Sequence, residues 1–439
     1  HTLDLSHPDS GEINLMQGYT SGHNLTDAQI FEAREFAFTY HDVTSTPHPA
    51  LNPTPTPTPN AGTLDMLAEA RERARSKQEA SDWFDQGVSS YQSGLYEDAI
   101  TNFDKAIEIA PGANYYGWRS VSYSNLGQYQ NAVNDNTKAI QLEPNARRYR
   151  NRGINYGNLG QHQYALDDYT TAIELDPDYA AAYISRGGSC SKLGQYQNAL
   201  DDYTTAIQLD PDYAAAYSSR GGSYSKLGQY QNALDDYATA IQIEPNATRY
   251  RDRGINYGNL GQHQYALDDY TTAIQLDPDY AAAYNSRGYS NRRLGQYQRA
   301  IEDYDKAIQI DPDYAAAYNK RGLSYHDLGE YRSAIADYDV AISLDPDEPD
   351  YFINRGLSYN WLGTGGLGAT SEAKDIEYNE QAVADFSKAI ELDPLIARAY
   401  GYRSNSYDWL INSSRGKLWY YQLMVADTEK ACSLDSYWC

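Results

Sequence analysis

The stretch GQYQNALDDYTTAIQLDPDYAAAY, Gly194 to Tyr217, decides the fold. It returns almost unchanged as GQYQNALDDYATAIQIEP from Gly228 to Pro245. The proline that ends each such unit recurs as Pro111, Pro144, Pro177, Pro211, Pro245, Pro278, Pro312, Pro346 and Pro394. The first eight stand 33 or 34 residues apart, and the gap of 48 before Pro394 marks an insertion. A tenth, degenerate unit ends near Ser436, where the proline is missing. A fixed period of this length means stacked copies of one small supersecondary unit. Pro211 stops the helix before it, and Asp212 is placed to cap the AAAY helix that follows.

The pattern resembles the tetratricopeptide repeat, a helix–turn–helix unit of 34 residues. In the unit ending at Pro211 the family's marker positions are Tyr183, Gly187, Gly194, Tyr196, Ala199, Tyr203 and Ala206. The first unit carries the family's tryptophan as Trp83, followed by Gly87, Tyr96, Ala99, Phe103 and Ala106. The resemblance runs from about residue 80 to 438, through some ten units. It implies an all-α fold, a right-handed α-solenoid of tetratricopeptide repeats, because no unit buries its apolar face alone. Gly187 and Ala199 would let the two helices of a unit approach, with tyrosines filling the gaps between them. The 44 tyrosines are read as core and seam packing with their hydroxyls reaching the surface. Cys190 stands where the next unit has Tyr224 and reads as a packed core residue.

A longer period overlies the first. The segment from Glu143 to Tyr183 returns from Glu244 to Tyr284, a shift of 101 residues, so three units were duplicated together. Ahead of the repeats the expected order is an arm over residues 1–50, a Pro/Thr spacer over 51–61 and a leading helix over 62–79. Loop insertions are expected near 363–378 and 410–421.

With 60 acidic and 35 basic side chains the net charge is −25, which disfavours nucleic acid and anionic membrane surfaces as partners. No run of about eighteen apolar residues appears, so no membrane insertion is expected. Nothing in the sequence supports catalysis, and no cofactor or metal is expected. The eight histidines are scattered, and His162 and His263 merely replace the tyrosine of equivalent units. A GxGxxG match runs through Gly363, Gly365 and Gly368, but a repeat helix precedes it instead of the strand a dinucleotide site needs. Acidic pairs such as Asp201 and Asp202 read as a solvated convex face.

In tetratricopeptide proteins the first helix of each unit lines a concave groove. The resemblance places Arg147, Arg150 and Asn158, then Arg251 and Asn259, then Asn285, Arg292 and Arg293 on that groove. Gly157, Gly188, Ser191, Gly222, Ser225 and Gly258 lie between them and leave room for a ligand backbone. The carboxylate clamp of chaperone adaptors is absent, because Ile154 and Ile255 stand at its asparagine position. The arginines are read either as local charge balance or as forks for an acidic segment.

Such a segment exists in the same chain. Residues 1–33 contain five carboxylates and no Lys or Arg. From Thr26, TDAQIFEAREFAFTYHD predicts a helix near 27–41 that presents Ile30, Phe31, Phe36 and Phe38 for docking. The spacer NPTPTPTPN, Asn52 to Asn60, should be stiff and roughly 25–30 Å long at about 3 Å per residue. At the far end, EKACSLDSYWC lacks a polar capping helix, which leaves an apolar end face. The expected function is a non-enzymatic scaffold that self-assembles head to tail into a filament, the arm of one copy docking on the next. The alternative is a monomeric or dimeric adaptor that binds an acidic peptide of another protein.

An extracellular or cell-surface location is expected from the start at His1, the three cysteines and the linker together. Asn24, Asn246 and Asn412 are candidate N-glycosylation sites, and Thr54, Thr56 and Thr58 candidate O-glycosylation sites. Cys432 and Cys439 either staple the C-terminus or remain two free thiols at a frayed end.

Overall fold

The computed structural model describes residues 61–364, 372–413 and 418–439. The arm residues Ile30, Phe31, Phe36 and Phe38, the candidates Asn24, Thr54, Thr56 and Thr58, and Gly365 and Gly368 lie outside them. Twenty α-helices and one short 3-10 turn make up the described residues, without a strand.

The fourth unit shows how the sequence builds each pair. Its first helix, α7 (Ala180–Lys192), ends where Gly194 takes φ 74°, a left-handed conformation that favours glycine. Gln195 N donates to Cys190 O at 2.9 Å and Gly194 N to Ser191 O at 3.1 Å, which satisfies the last carbonyls of the helix. Its second helix, α8 (Tyr196–Leu209), stops at Asp210, before Pro211. The residue that shapes the next turn is Asp210, whose carboxylate accepts the Asp212 backbone N–H at 3.2 Å. Asp212 itself makes no side-chain cap on α9 (Ala214–Lys226), contrary to the sequence reading, because the Pro-Asp turn puts Tyr213 at the cap position.

The remaining pairs follow the same plan. They are α1 (Ala61–Gln92) with α2 (Tyr96–Ile109), α3 (Ala113–Asn125) with α4 (Tyr129–Leu142), and α5 (Ala146–Asn158) with α6 (His162–Leu175). After α9 come α10 (Tyr230–Ile243), α11 (Ala247–Asn259), α12 (His263–Leu276), α13 (Ala281–Arg293) and α14 (Tyr297–Ile310). The array closes with α15 (Ala315–Asp327), α16 (Tyr331–Leu344), α17 (Pro349–Gly363), α18 (Glu372–Leu392), α19 (Ala397–Asn412) and α20 (Leu418–Leu434). Each helix packs on the one before it and the one after it, so the chain is an all-α solenoid.

Boundaries differ from expectation at three places. The leading helix is not separate: α1 runs without a break into the first unit. Residues 372–378, expected as loop, are the first turns of α18, and α19 continues to Asn412. Strong helix formers such as those of EAKDIEYNEQ explain why the insertion lengthens a helix.

Inside eight of the ten units a glycine of the first helix meets an aromatic ring of the second. A Cβ on Gly187 would stand 2.7 Å from Tyr203 Cε1, and one on Gly322 2.7 Å from Tyr338 Cε1. The glycine is therefore what lets the ring in. Two units lack it, and there the partner shrinks: Asn136 donates to Ser120 Oγ at 2.6 Å, and Ser404 lies 2.8 Å from Thr428 Oγ1. Cys190 is buried against Ala199 and Tyr203, as the sequence reading had it. The tyrosine reading needs correction, since Tyr304 and Tyr338 are 0 % exposed and their hydroxyls are buried too.

A buried ion pair ties the two helices beside that contact. Arg186 donates to Asp202 through Nη2 at 2.7 Å and Nε at 3.0 Å, while its guanidinium lies over the Tyr183 ring, 5.7 Å from the centroid. Nine units carry this pair, from Arg119–Asp135 through Arg403–Asp427. The arginine also reaches the preceding unit, as Arg152 does to Thr137 Oγ1 at 3.2 Å and Arg321 to Asp305 at 2.6 Å. Asp202 is thus 6 % exposed and not on a solvated face; only Asp201 is exposed. Two like-charged neighbours in sequence have opposite surroundings because adjacent helical positions point about 100° apart.

The C-terminal end is also better covered than expected. Cys432 and Cys439 form a disulfide with Cα atoms 4.8 Å apart, and the turn Ser436–Trp438 folds back on α19. Trp438 meets Gly401 and lies edge-on to Tyr402, ring centroids 5.2 Å apart. The apolar side chains that stay exposed at this end include Trp419, Tyr421 and Tyr437.

Candidate functional site: the first-helix face

Successive first helices meet along one stripe of side chains. Arg150 Nε donates to Ser185 Oγ of the next unit at 3.0 Å, Arg292 Nε to Asp327 at 2.6 Å, and Asn354 Nδ2 to Asn319 Oδ1 at 2.9 Å. These residues occupy the fifth, sixth, twelfth or thirteenth position of their helices, which with the second and ninth make up one helix face.

The groove residues named from the sequence fall into two groups. Arg150 is 4 % exposed and committed to Ala181 O and Ser185 Oγ, so it is part of the wall and not an open fork. Arg147 is half-buried and engaged, and Arg292 is paired with Asp327. Asn158 and Asn259 are exposed at the last turns of α5 and α11, and Arg293 is exposed near the Tyr289 ring, 6.0 Å from its centroid. Arg251 and Asn285 come together around Tyr280 and Tyr314. Arg251 Nη1 donates to Tyr280 OH at 3.1 Å, and Asn285 Nδ2 to Tyr314 OH at 3.0 Å.

The residue that sequence reasoning missed here is Lys320. It is mostly buried, its ammonium lies 5.9 Å from the Tyr289 ring centroid, and among the described residues no carboxylate pairs with it. Burial, and then the positive charge of Arg251, lower its pKa below the ordinary lysine value. Asp252, 3.3 Å from Arg251, is itself held above the usual carboxylate range by burial, despite that arginine. The signal for Lys320 lay in the duplication: the equivalent residue one shift earlier is Ser219.

Of the glycosylation candidates described, Asn246 caps α11, its Oδ1 accepting Arg249 N–H at 2.9 Å. Asn412 is exposed at the end of α19 and donates to Asp408 O at 2.9 Å. No helix among the described residues is long and apolar enough to cross a membrane, and none of their His, Cys, Asp and Glu clusters is arranged to hold a metal.

Family models agree with the architecture. Models described as TPR repeat match residues 187–228, 288–329 and 322–363, and models described as tetratricopeptide repeat match 113–145, 146–179, 214–247 and 269–302. No curated protein matches the chain. Among solved structures, YrrB, titled a TPR protein with an unusual peptide-binding site, is 26% identical, covering 41% of this chain and 93% of its own at a TM-score of 0.35. MamA protein is 25% identical, covering 39% and 94% at 0.35. A tetratricopeptide repeat protein from Parabacteroides merdae is 19% identical, covering 60% and 98% at 0.48. From the repeat motif, the helix pairs and the matching family models together, the chain belongs to the tetratricopeptide-repeat family.

Proposed function

We propose that this protein-interaction scaffold receives an acidic segment along its first-helix face, and that the segment is residues 1–33 of another copy, joining subunits head to tail. The observation that carries the reading is the cation cluster of Arg251, Arg293 and Lys320 on one face of a chain whose net charge is −25. Opposite charge on the arm and on this face favours their encounter and sets its orientation. The covered C-terminal turn shifts the weight of the proposal from the end of the solenoid to the face. A foreign acidic peptide is the second reading, supported by the same cluster. An extracellular location remains part of the proposal, supported by the Cys432–Cys439 disulfide, since such bonds persist in oxidising compartments.

Negative-stain electron microscopy of the full chain beside a form lacking residues 1–60 tests this directly. Filaments in the full chain and single curved particles in the truncated form are expected. Single particles in both samples would reject self-assembly and leave the foreign peptide.

A further inference from the structure

The duplication supplies an internal control. The first helices of the two three-unit copies, α5, α7 and α9 against α11, α13 and α15, differ at twelve positions. All but Cys190/Asn291 fall on the stripe described above, while the ion-pair arginines and the glycines that meet the rings are retained, as Arg186 and Gly187 are in Arg287 and Gly288. The two halves therefore share a framework and differ in what they present. Where the first copy has Ile184, Gly188 and Ser219, the second has Asn285, Tyr289 and Lys320.

The equivalent arginines show the consequence. In the first copy Arg150 Nε is satisfied by Ala181 O at 3.2 Å and Ser185 Oγ at 3.0 Å. In the second, Arg251 Nε is buried without an acceptor, and Asn285 Oδ1 is buried without a donor. Lys320 adds a second cation, so Arg251, Lys320 and Asp252 leave one positive charge uncompensated in a partly desolvated place. Such a group is costly to keep, and its surroundings are completed by an anion that also brings an N–H.

We propose that the first-helix face over units six to eight binds an acidic side chain of a peptide between Arg251 and Lys320, with Asn285 accepting that peptide's backbone N–H, and that the equivalent place in units three to five does not. This rests on the reading above for the direction of the ligand along the groove, but it concerns the pocket and not the identity of the chain that fills it. A free carboxylate or phosphate lacks the N–H that Asn285 Oδ1 calls for; a peptide supplies both groups at once.

The test is fluorescence anisotropy of a fluorescein-labelled hexaglutamate peptide titrated with the full-length protein. One site per chain is expected. Lys320→Ser, which installs the residue of the first copy, should weaken binding tenfold or more while leaving the melting temperature unchanged or higher. Ile184→Asn with Ser219→Lys should raise the stoichiometry to two. No binding by the natural chain, or equal binding by the Lys320→Ser form, overturns the proposal. Binding that obeys these rules in a protein that forms no filaments rejects only self-assembly.

Discussion

Arg186→Ala is expected to destabilise the fourth unit by about 3–5 kcal/mol, the cost of leaving a buried charge without its partner. Asp202 is 6 % exposed and takes two hydrogen bonds from that guanidinium, so water cannot replace them. The pair need not add net stability to the native fold, because desolvating two charges offsets much of their attraction. Removing both partners as Arg186→Leu with Asp202→Leu should therefore recover most of the loss. Solenoid stability is roughly a sum over units and their interfaces, so the damage should stay local. Hydrogen exchange is expected to rise in α7, α8 and the adjoining face of α6, with distant units unchanged. A loss below about 1 kcal/mol, the scale of an exposed pair, would contradict this account.

The second large effect is expected from Gly322→Val. Tyr338 is fully buried, and the first added carbon already stands 2.7 Å from its ring. Overpacking of this kind costs about 1–3 kcal/mol and occasionally more, and valine's second branch puts this site at the upper end. The chain contains its own suppressor. Gly322→Ser with Tyr338→Asn copies the Ser120–Asn136 pair, so the double variant should be more stable than the sum of its single changes predicts. Urea denaturation of the four proteins measures that coupling. Simple additivity would show that ring and glycine are not fitted to one another.

The repeat was legible because tandem copies reveal helix, turn and stop together, and a proline at a fixed interval gives the register without any structure. The ion-pair ladder was equally present in the sequence, Arg186 one residue before Gly187 and Asp202 one before Tyr203. It is hidden in the sequence because each carboxylate there reads as a solvent-facing charge, and only the packing of the two helices shows that these positions face each other across 16 residues. Asp210 outcompeted Asp212 as turn former for a similar reason: which carboxylate reaches a backbone N–H depends on the turn that Pro211 imposes. The groove was legible as a face but not as a site. Arg150 and Arg251 occupy equivalent places in near-identical units, yet neighbours on other helices decide that one is satisfied and the other is not. Lys320 belongs to a unit whose sequence alone gives no hint of Arg251 beside it, two units away.

That contrast singles out the first-helix face of units six to eight as the place where subunits would join. Sedimentation velocity at low ionic strength, comparing the natural chain with Arg251→Glu combined with Lys320→Glu, tests it most directly. Assemblies far larger than the 49.3 kDa chain are expected for the natural protein, and single chains for the variant. Identical distributions for the two would contradict it.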